Sequence, residues 1–341
     1  MHILFTPLLL PLLFLHVSHL RPYVLFSVVL LVWDQALRYY MHAPAVATIE
    51  RLSPSLIEIV AQTSFYTPIK PGTHALVKHP DTSLWTSNPF SIAGTIVPAG
   101  PKEQQIRMIA RVRGRFTRKL ASLASPKVES SAGWPAVPEH AQAIYLDFPY
   151  GAPLYFPPLE QFDKLLFIAG GVGGTFAVSC VKHLLKSSDG KPALVRPGQL
   201  KFVWSVKSPS DVSWALEDEY PGDNASDVAK CVELYLTGAP ADKGEDREEE
   251  QGIEMTEGLL SETNGGTDAL VRAGLDKRRI GTGRPVLRHL IEETVRAAGA
   301  EGRTAILVCG PAKMGSIAKR TVGKSGIAGA DVWLHVEEFS H

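Results

Sequence analysis

Two glycine corners carry the spacing in this chain most suited to chemistry: "KLLFIAGGVGGT", residues 164 to 175, and "ILVCGPAKM", residues 306 to 314. Each joins an apolar run to a tight turn and then to a helix-like segment. Gly170, Gly171, Gly173 and Gly174 let the backbone approach a pyrophosphate closely. A helix starting near Thr175 would offer it free N–H groups and the positive end of a dipole. Ordinary packing is the alternative, because Phe176 stands where G-x-G-x-x-G needs its last glycine. In the second corner Cys309, Gly310, Pro311 and Met314 place a small polarizable side chain and an open turn at a strand end, although Cys309 also suits a packed core. Between the corners, "VWSVK" puts Ser205 and Lys207 after a second strand. There such sheets meet an adenine ribose, and a cation suits a 2′-phosphate. An exposed lysine without a ligand is the other reading of Lys207.

A third constellation lies at the N-terminus. His2 and His16 are 14 residues apart, which on one α-helix is just under four turns and about 21 Å along nearly the same face. Histidines so placed could each ligate a haem, or could simply sit at a membrane interface.

The elements that must position these residues follow from composition. The chain has 341 residues, enough for two soluble domains and something smaller. Lys plus Arg (35) equals Asp plus Glu (35), which gives no basic surface for nucleic acid. Three widely spaced cysteines, Cys180, Cys231 and Cys309, fit a reduced compartment. From Ile3 to Trp33 the sole charged residue is Arg21, between the apolar runs "ILFTPLLLPLLFLHV" and "YVLFSVVLLVW". These read as a transmembrane helical hairpin over 1–42, each run short for a span of about 20 residues. A secretory signal is the alternative, with "APAVA" at Ala43 to Ala47 as its cleavage site; the lack of Lys or Arg before the run argues against it.

Short β-like runs separated by Gly and Pro predict an antiparallel β-barrel over 43–160. From Lys164 strands alternate with helices, which predicts a doubly wound parallel-sheet domain over 161–341. Residues 242 to 262 hold nine Asp or Glu against two basic residues. With the glycine-rich tract that follows, they predict a disordered acidic insertion over about 240–282. Residues 125 to 140 read as a loop of the barrel domain.

Several segments in order carry a family resemblance: "WTSNPFSIAG", "RGRFTRKL", "PYG", "IAGGVGGT", "GRP", "VCGPAKM" and a terminal "EEF". Together they resemble the ferredoxin-NADP reductase superfamily, and within it the C-terminal half of the ferric-chelate reductases and NADPH oxidases. The resemblance implies that Pro89, Phe90 and Ser91 hold FAD, Ser91 beside the reacting ring, with Asn88 in place of the usual His. It implies that Gly114 and Thr117, helped by Arg115 or Arg118, receive the FAD pyrophosphate; a solvated basic face is the alternative there. Gly151 closes "FPYG", where Phe148 replaces a glycine. Gly170 to Thr175 would cradle a nicotinamide nucleotide, with Lys207 and Arg284 on its cofactor side, NADPH being preferred and NADH possible. Cys309 would face the hydride path, and Phe339 would cover the flavin.

The implied chemistry is a flavin relay from NADPH to FAD and then, one electron at a time, toward haem and ferric chelates. The cofactor domains would be cytoplasmic on a lipid membrane, most naturally the plasma membrane. His2 and His16 match the family's haem-ligating helix, but b-type haem needs further axial histidines, so a haem-bearing membrane partner or a longer, intact relative is implied and this chain reads as a truncated form. A superoxide-producing oxidase relative and a catalytically defunct nucleotide-binding fragment are the competing readings.

Overall fold

The strands between Ala43 and Tyr150 alternate small or branched apolar residues with polar ones, and that period of two decides which face turns inward. The computed structural model describes residues 2–41, 43–64, 66–81, 87–96, 104–126, 141–186, 193–216, 225–238, 266–299, 301–323 and 330–338. The first domain contains β1 (Ala43–Arg51), β2 (Leu56–Thr63), β3 (His74–Lys78), β4 (Asn88–Ile96), β5 (Gln104–Arg111), the two-residue β6 (Ser125–Pro126) and β7 (Gln142–Tyr150). Their order is β2-β5-β4-β3-β7-β1, and an antiparallel β1–β2 ladder closes the six into a barrel. Ile57, Ile59, Val77, Ile106, Met108, Ile144 and Leu146 fill its interior. Helix α3 (Arg115–Leu123) closes one end with Leu120 and Ala121 buried.

Two strands break the alternation for a physical reason. β2 and β5 are buried on both faces, because their outer faces lie against the second domain. Leu56, Ala93 and Ile109 of the barrel join the second domain's core. Between them Glu58 and Arg107 form a buried ion pair, with the guanidinium 5.9 Å from the centroid of the Trp214 ring.

The second domain runs β8 (Lys164–Gly170), α4 (Gly174–Leu185), β9 (Leu200–Val206), α5 (Ser213–Leu216), α6 (Ala225–Cys231), β10 (Val232–Leu236), α7 (266–272), β11 (Ile280–Thr282), α8 (Leu287–Ala298), β12 (Arg303–Gly310), α9 (Ala312–Gly323) and β13 (Asp331–Glu338). All six strands are parallel in the order β11-β10-β9-β8-β12-β13. The chain turns back between β8 and β12, which opens a crevice at the carboxyl ends of those strands. Leu165, Phe167 and Ala169 face α4 and the barrel, whereas Leu166 and Ile168 pack with residues of α8 and α9. Both layers follow from the predicted doubly wound pattern.

The barrel turn at Gly72 rests on α4. Its N–H donates to Ser179 Oγ at 3.2 Å; its φ is +79°, and a Cβ would lie 2.8 Å from the Phe176 ring and 2.9 Å from Cys180 Sγ. Only glycine meets both demands.

One expectation is corrected and a second is met only in part. The acidic insertion does not extend to 282: residues 266–272 form α7 and Ile280–Thr282 form β11, paired in parallel with β10. Leu270 and Leu275 are the cause, each almost wholly buried in the core. Residues 239–265 lie outside the described residues. At the N-terminus α1 (His2–His16) and α2 (Arg21–Met41) do form a helix pair, in which Arg21 Nε donates to the Phe14 carbonyl at 3.1 Å. Among the described residues, however, no helix is both long and apolar enough to cross a membrane. At 1.5 Å per residue the 15 residues of α1 reach only about 22 Å, and α2 carries Asp34 and Arg38 in its second half. The small-residue stretch Ala43–Ala47 forms the first half of β1, paired with β2 and β7.

Candidate functional site

The two glycine corners lie side by side. Cys309 is the ladder partner of Ala169, so the turns that follow β8 and β12 meet. A Cβ at Gly310 would sit 3.3 Å from the Gly170 nitrogen, and one at Gly170 would sit 3.0 Å from Pro311 Cδ and 3.2 Å from Met314 Cε. At these two positions glycine allows the corners to touch.

In front of them opens a cleft of about 680 Å³, between the barrel and the crevice of the parallel sheet. That volume is in the range of small-ligand and cofactor sites. The barrel contributes Pro89, Phe90 and Ser91 from β4, and Arg111 and Arg113 from and just beyond β5. The second domain contributes Gly170, Gly171, Thr175, Ser205, Lys207, Arg284, Pro311 and Met314. All of these but Arg111 and Arg113 were singled out from sequence, with the segments 170–175 and 306–314 now forming one wall. Gly171 has φ +55°, and the Arg111 guanidinium stands 3.6 Å from where its Cβ would be. A barrel arginine therefore covers the glycine turn of the other domain.

Electrostatics fit an anionic ligand. Arg111, Arg113, Lys207, Arg284, Arg288 and Lys313 line the cleft, against Asp211 as its lining carboxylate. Arg288 is shared with Glu292 at 2.7 Å. The Ser205 hydroxyl is buried beside the cleft without a hydrogen-bond partner among the described residues, a polar group that a ligand could satisfy. Apolar surface comes from Val286, Leu287 and Ile317. Charged rim, apolar wall and close glycine backbone are what a dinucleotide requires.

The remaining predicted residues are placed as follows. Gly114 is the N-cap of α3, with open space where a Cβ would be and no side chain of its own to cap the helix. Thr117 Oγ1 accepts from the N–H groups of Arg113 at 2.9 Å and Gly114 at 3.1 Å, so its hydroxyl shapes the helix entry. Phe116 of α3 stacks on Phe90 with centroids 6.0 Å apart, tying α3 to β4. Asn88 is half-buried opposite Val77 and does not line the cleft. Gly151, at φ +117°, lies against the His74 imidazole, which stacks on Tyr150.

Gly173 and Gly174 are buried. A Cβ on Gly174 would meet the Trp204 indole at 2.1 Å, and Trp204 Nε1 donates to the Gly171 carbonyl at 2.9 Å. Thr175 Oγ1 donates to the Val172 carbonyl at 2.8 Å. Cys309 is 1% exposed and faces the α4 side of the sheet in the core that holds Cys180; it does not line the cleft. Burial, with Glu337 nearby, pushes its thiol well up. His16 is exposed on α1; the side chain of His2, and Phe339, lie outside the described residues.

Sequence reasoning passed over Arg111, Asp211, Lys313 and the apolar trio. Arg111 ends β5 and Arg113 follows two residues on, a signal that was present. The role of Asp211 depends on contacts with the barrel that no spacing reveals.

The comparisons agree with this geometry. Residues 41–154 match the family of FAD-binding domains and residues 162–322 match the ferric reductase NAD binding domain. The chain is 24% identical over 301 residues to ferric reductase transmembrane component 5 of Saccharomyces cerevisiae, covering 86% of this chain and 38% of that one. It is 31% identical over 159 residues to a sequence named as respiratory burst oxidase homolog protein H of Arabidopsis thaliana, covering 40% and 17%. It thus spans well under half the length of these relatives. Among solved structures, ferredoxin reductase in carbazole 1,9a-dioxygenase superposes with a TM-score of 0.50 at 16% identity, over 87% of this chain and 68% of that one, and shares the fold. The barrel is thus a FAD-binding domain and the parallel sheet a ferric reductase NAD binding domain.

Proposed function

We propose that the chain is the cofactor-bearing part of a membrane-associated NADPH-dependent ferric-chelate reductase. The observation that carries this reading is the single cleft in which the FAD-domain strand Pro89–Ser91 meets the glycine turn of the NAD-binding domain inside a ring of cations. When bound, the two cofactors supply the redox chemistry, a hydride from the nicotinamide to the flavin and then two electrons released singly to an acceptor.

The residues supply position and field. The N-terminus of α3 with Gly114 and Arg115, and β4 with Pro89, Phe90 and Ser91, would hold FAD. Gly170, Gly171 and the start of α4 would hold the nucleotide pyrophosphate, with Arg111 above it. Lys207 and Arg284, which make no ion pair among the described residues, favour NADPH over NADH through its 2′-phosphate. Hydride transfer needs no acid or base, so holding the two rings at reacting distance is the protein's main contribution. Val286, Leu287 and Ile317 would offer the cofactors an apolar wall. Helices α1 and α2 expose Leu12, Leu15, Leu25, Phe26, Val29 and Trp33, an apolar surface suited to lipid or to the haem-bearing helices of a partner.

The test is direct. The purified chain should carry FAD and oxidise NADPH with a dye acceptor and with ferric chelates; absence of both flavin and NADPH-dependent dye reduction would sink the proposal. The 31% match to an oxidase homolog favours one second reading, dioxygen as the acceptor. Superoxide formation exceeding ferric reduction would select it.

A further inference from the structure

The carboxylate in the cleft is not free to face a ligand, and the barrel is what restrains it. Asp211 Oδ1 accepts a hydrogen bond from Ser55 Oγ at 2.8 Å and from Ser53 Oγ at 3.3 Å. Both serines sit in the β1–β2 turn of the FAD domain, while Asp211 follows β9 of the NAD-binding domain, four residues after Lys207. The turn is itself built to present them. Ser53 Oγ accepts from the N–H groups of Ser55 and Leu56 at 3.2 and 3.1 Å, so its own proton is left for Asp211 or for Ser55 Oγ, 3.3 Å away. On its other side Asp211 is fixed by the Trp214 Nε1 bond to its carbonyl at 3.0 Å.

We propose that Ser53 and Ser55 are positioning residues for dinucleotide choice: by holding the Asp211 carboxylate toward the barrel, they leave Lys207 to set the charge beside the adenine ribose. This rests on the reading of the cleft as the NADPH site. A carboxylate turned into the cleft would accept from the 2′- and 3′-hydroxyls of an unphosphorylated ribose and would repel a 2′-phosphate. Held by two hydroxyl donors from the other domain, it does neither. The preference for a phosphorylated ribose is therefore set by the NAD-binding domain only when the FAD domain is docked against it.

The test uses the full chain and binding rather than turnover. Equilibrium Kd values for NADP⁺ and NAD⁺ are measured for wild type, for Ser53→Ala/Ser55→Ala, for Asp211→Asn and for the triple variant, with thermal unfolding of each as a check on folding. Wild type should prefer NADP⁺. The serine double variant should lower the NADP⁺ over NAD⁺ preference by about fivefold, the scale of one partly exposed charge interaction. Asp211→Asn should hold or raise the preference, and the serine changes should have no further effect on it in that background. Equal weakening of both dinucleotides by the serine changes would show a merely structural clasp and overturn the proposal, as would a wild-type preference for NAD⁺. A wild-type chain that binds neither dinucleotide overturns the cofactor reading and this proposal with it; a chain that binds both with an unmoved ratio overturns the proposal alone. If the double variant fails to fold, Ser55→Ala by itself, which leaves the turn bonds of Ser53 intact, must shift the ratio in the same direction.

Discussion

Replacing Gly174 with alanine should cost far more than its helical backbone suggests. Its φ of −56° and ψ of −28° suit any residue, so the penalty comes from the neighbour. A methyl there would lie 2.1 Å from Trp204 Cζ2 and 2.2 Å from Cε2, against an ordinary carbon contact of about 3.5–4.0 Å. Trp204 is fully buried, packed on Phe202 at 5.7 Å and Trp214 at 5.8 Å between centroids, and cannot retreat without disturbing both. Overpacking of this kind costs about 1–3 kcal/mol. Displacing the indole also removes its hydrogen bond to the Gly171 carbonyl, about 1 kcal/mol more. The sum, about 2–4 kcal/mol, corresponds to a fall in Tm of roughly 3–6 °C for a cooperative unit of this size. Calorimetry beside Gly198→Ala, where a Cβ meets nothing within 4 Å, isolates the effect. If the two variants unfold within about 1 °C of each other, the indole yields freely and the packing argument is wrong. Unchanged stability with lost dinucleotide binding would mean that the glycine serves the ligand instead.

Three further outcomes are expected. Arg107→Met removes the cation paired with the buried Glu58 in the domain interface and should cost up to about 3–5 kcal/mol in denaturant unfolding, while Glu58→Leu/Arg107→Met together should recover most of it; equal losses would show that the pair's charge is immaterial. Burial pushes the Cys180 and Cys309 thiols up, and that of Cys231 up to about 12, so a thiol reagent at pH 8 should label the native chain slowly and all three sites after unfolding. Burial lowers His74, against an opposing pull from Glu337. The unfolded chain therefore binds the proton first, and stability should fall as pH drops below about 6.5 toward the depressed folded value. His74→Gln should flatten that part of the Tm profile, and an unaltered slope would assign it to other groups such as His183, which burial also lowers.

The architecture was legible in the sequence because it rests on local periodicity. Alternation gave the barrel strands, and strand-helix alternation gave the parallel sheet. Both corners were visible as apolar runs stopped by glycine. What resisted reading depends on tertiary contact. Cys309 sits in a motif that reads as chemistry, yet its parity on β12, shared with Ala305 and Leu307, turns it toward α4. Acidic composition concealed Leu270 and Leu275, two leucines sufficient to anchor α7 and lead into β11. Asp211 carries no local signal because its partners lie 156 and 158 residues away.

The doubly buried strands β2 and β5 make one barrel wall serve as a second domain's floor. Neither domain can be excised without exposing that wall: a free NAD-binding domain would lose the cover supplied by Leu56, Ala93 and Ile109, and a free barrel would present Glu58 and Arg107 to water as an exposed pair. The two domains are therefore expected to unfold in one calorimetric transition rather than two. For anyone grafting a different electron donor or acceptor onto this chain, the unit to move is the pair.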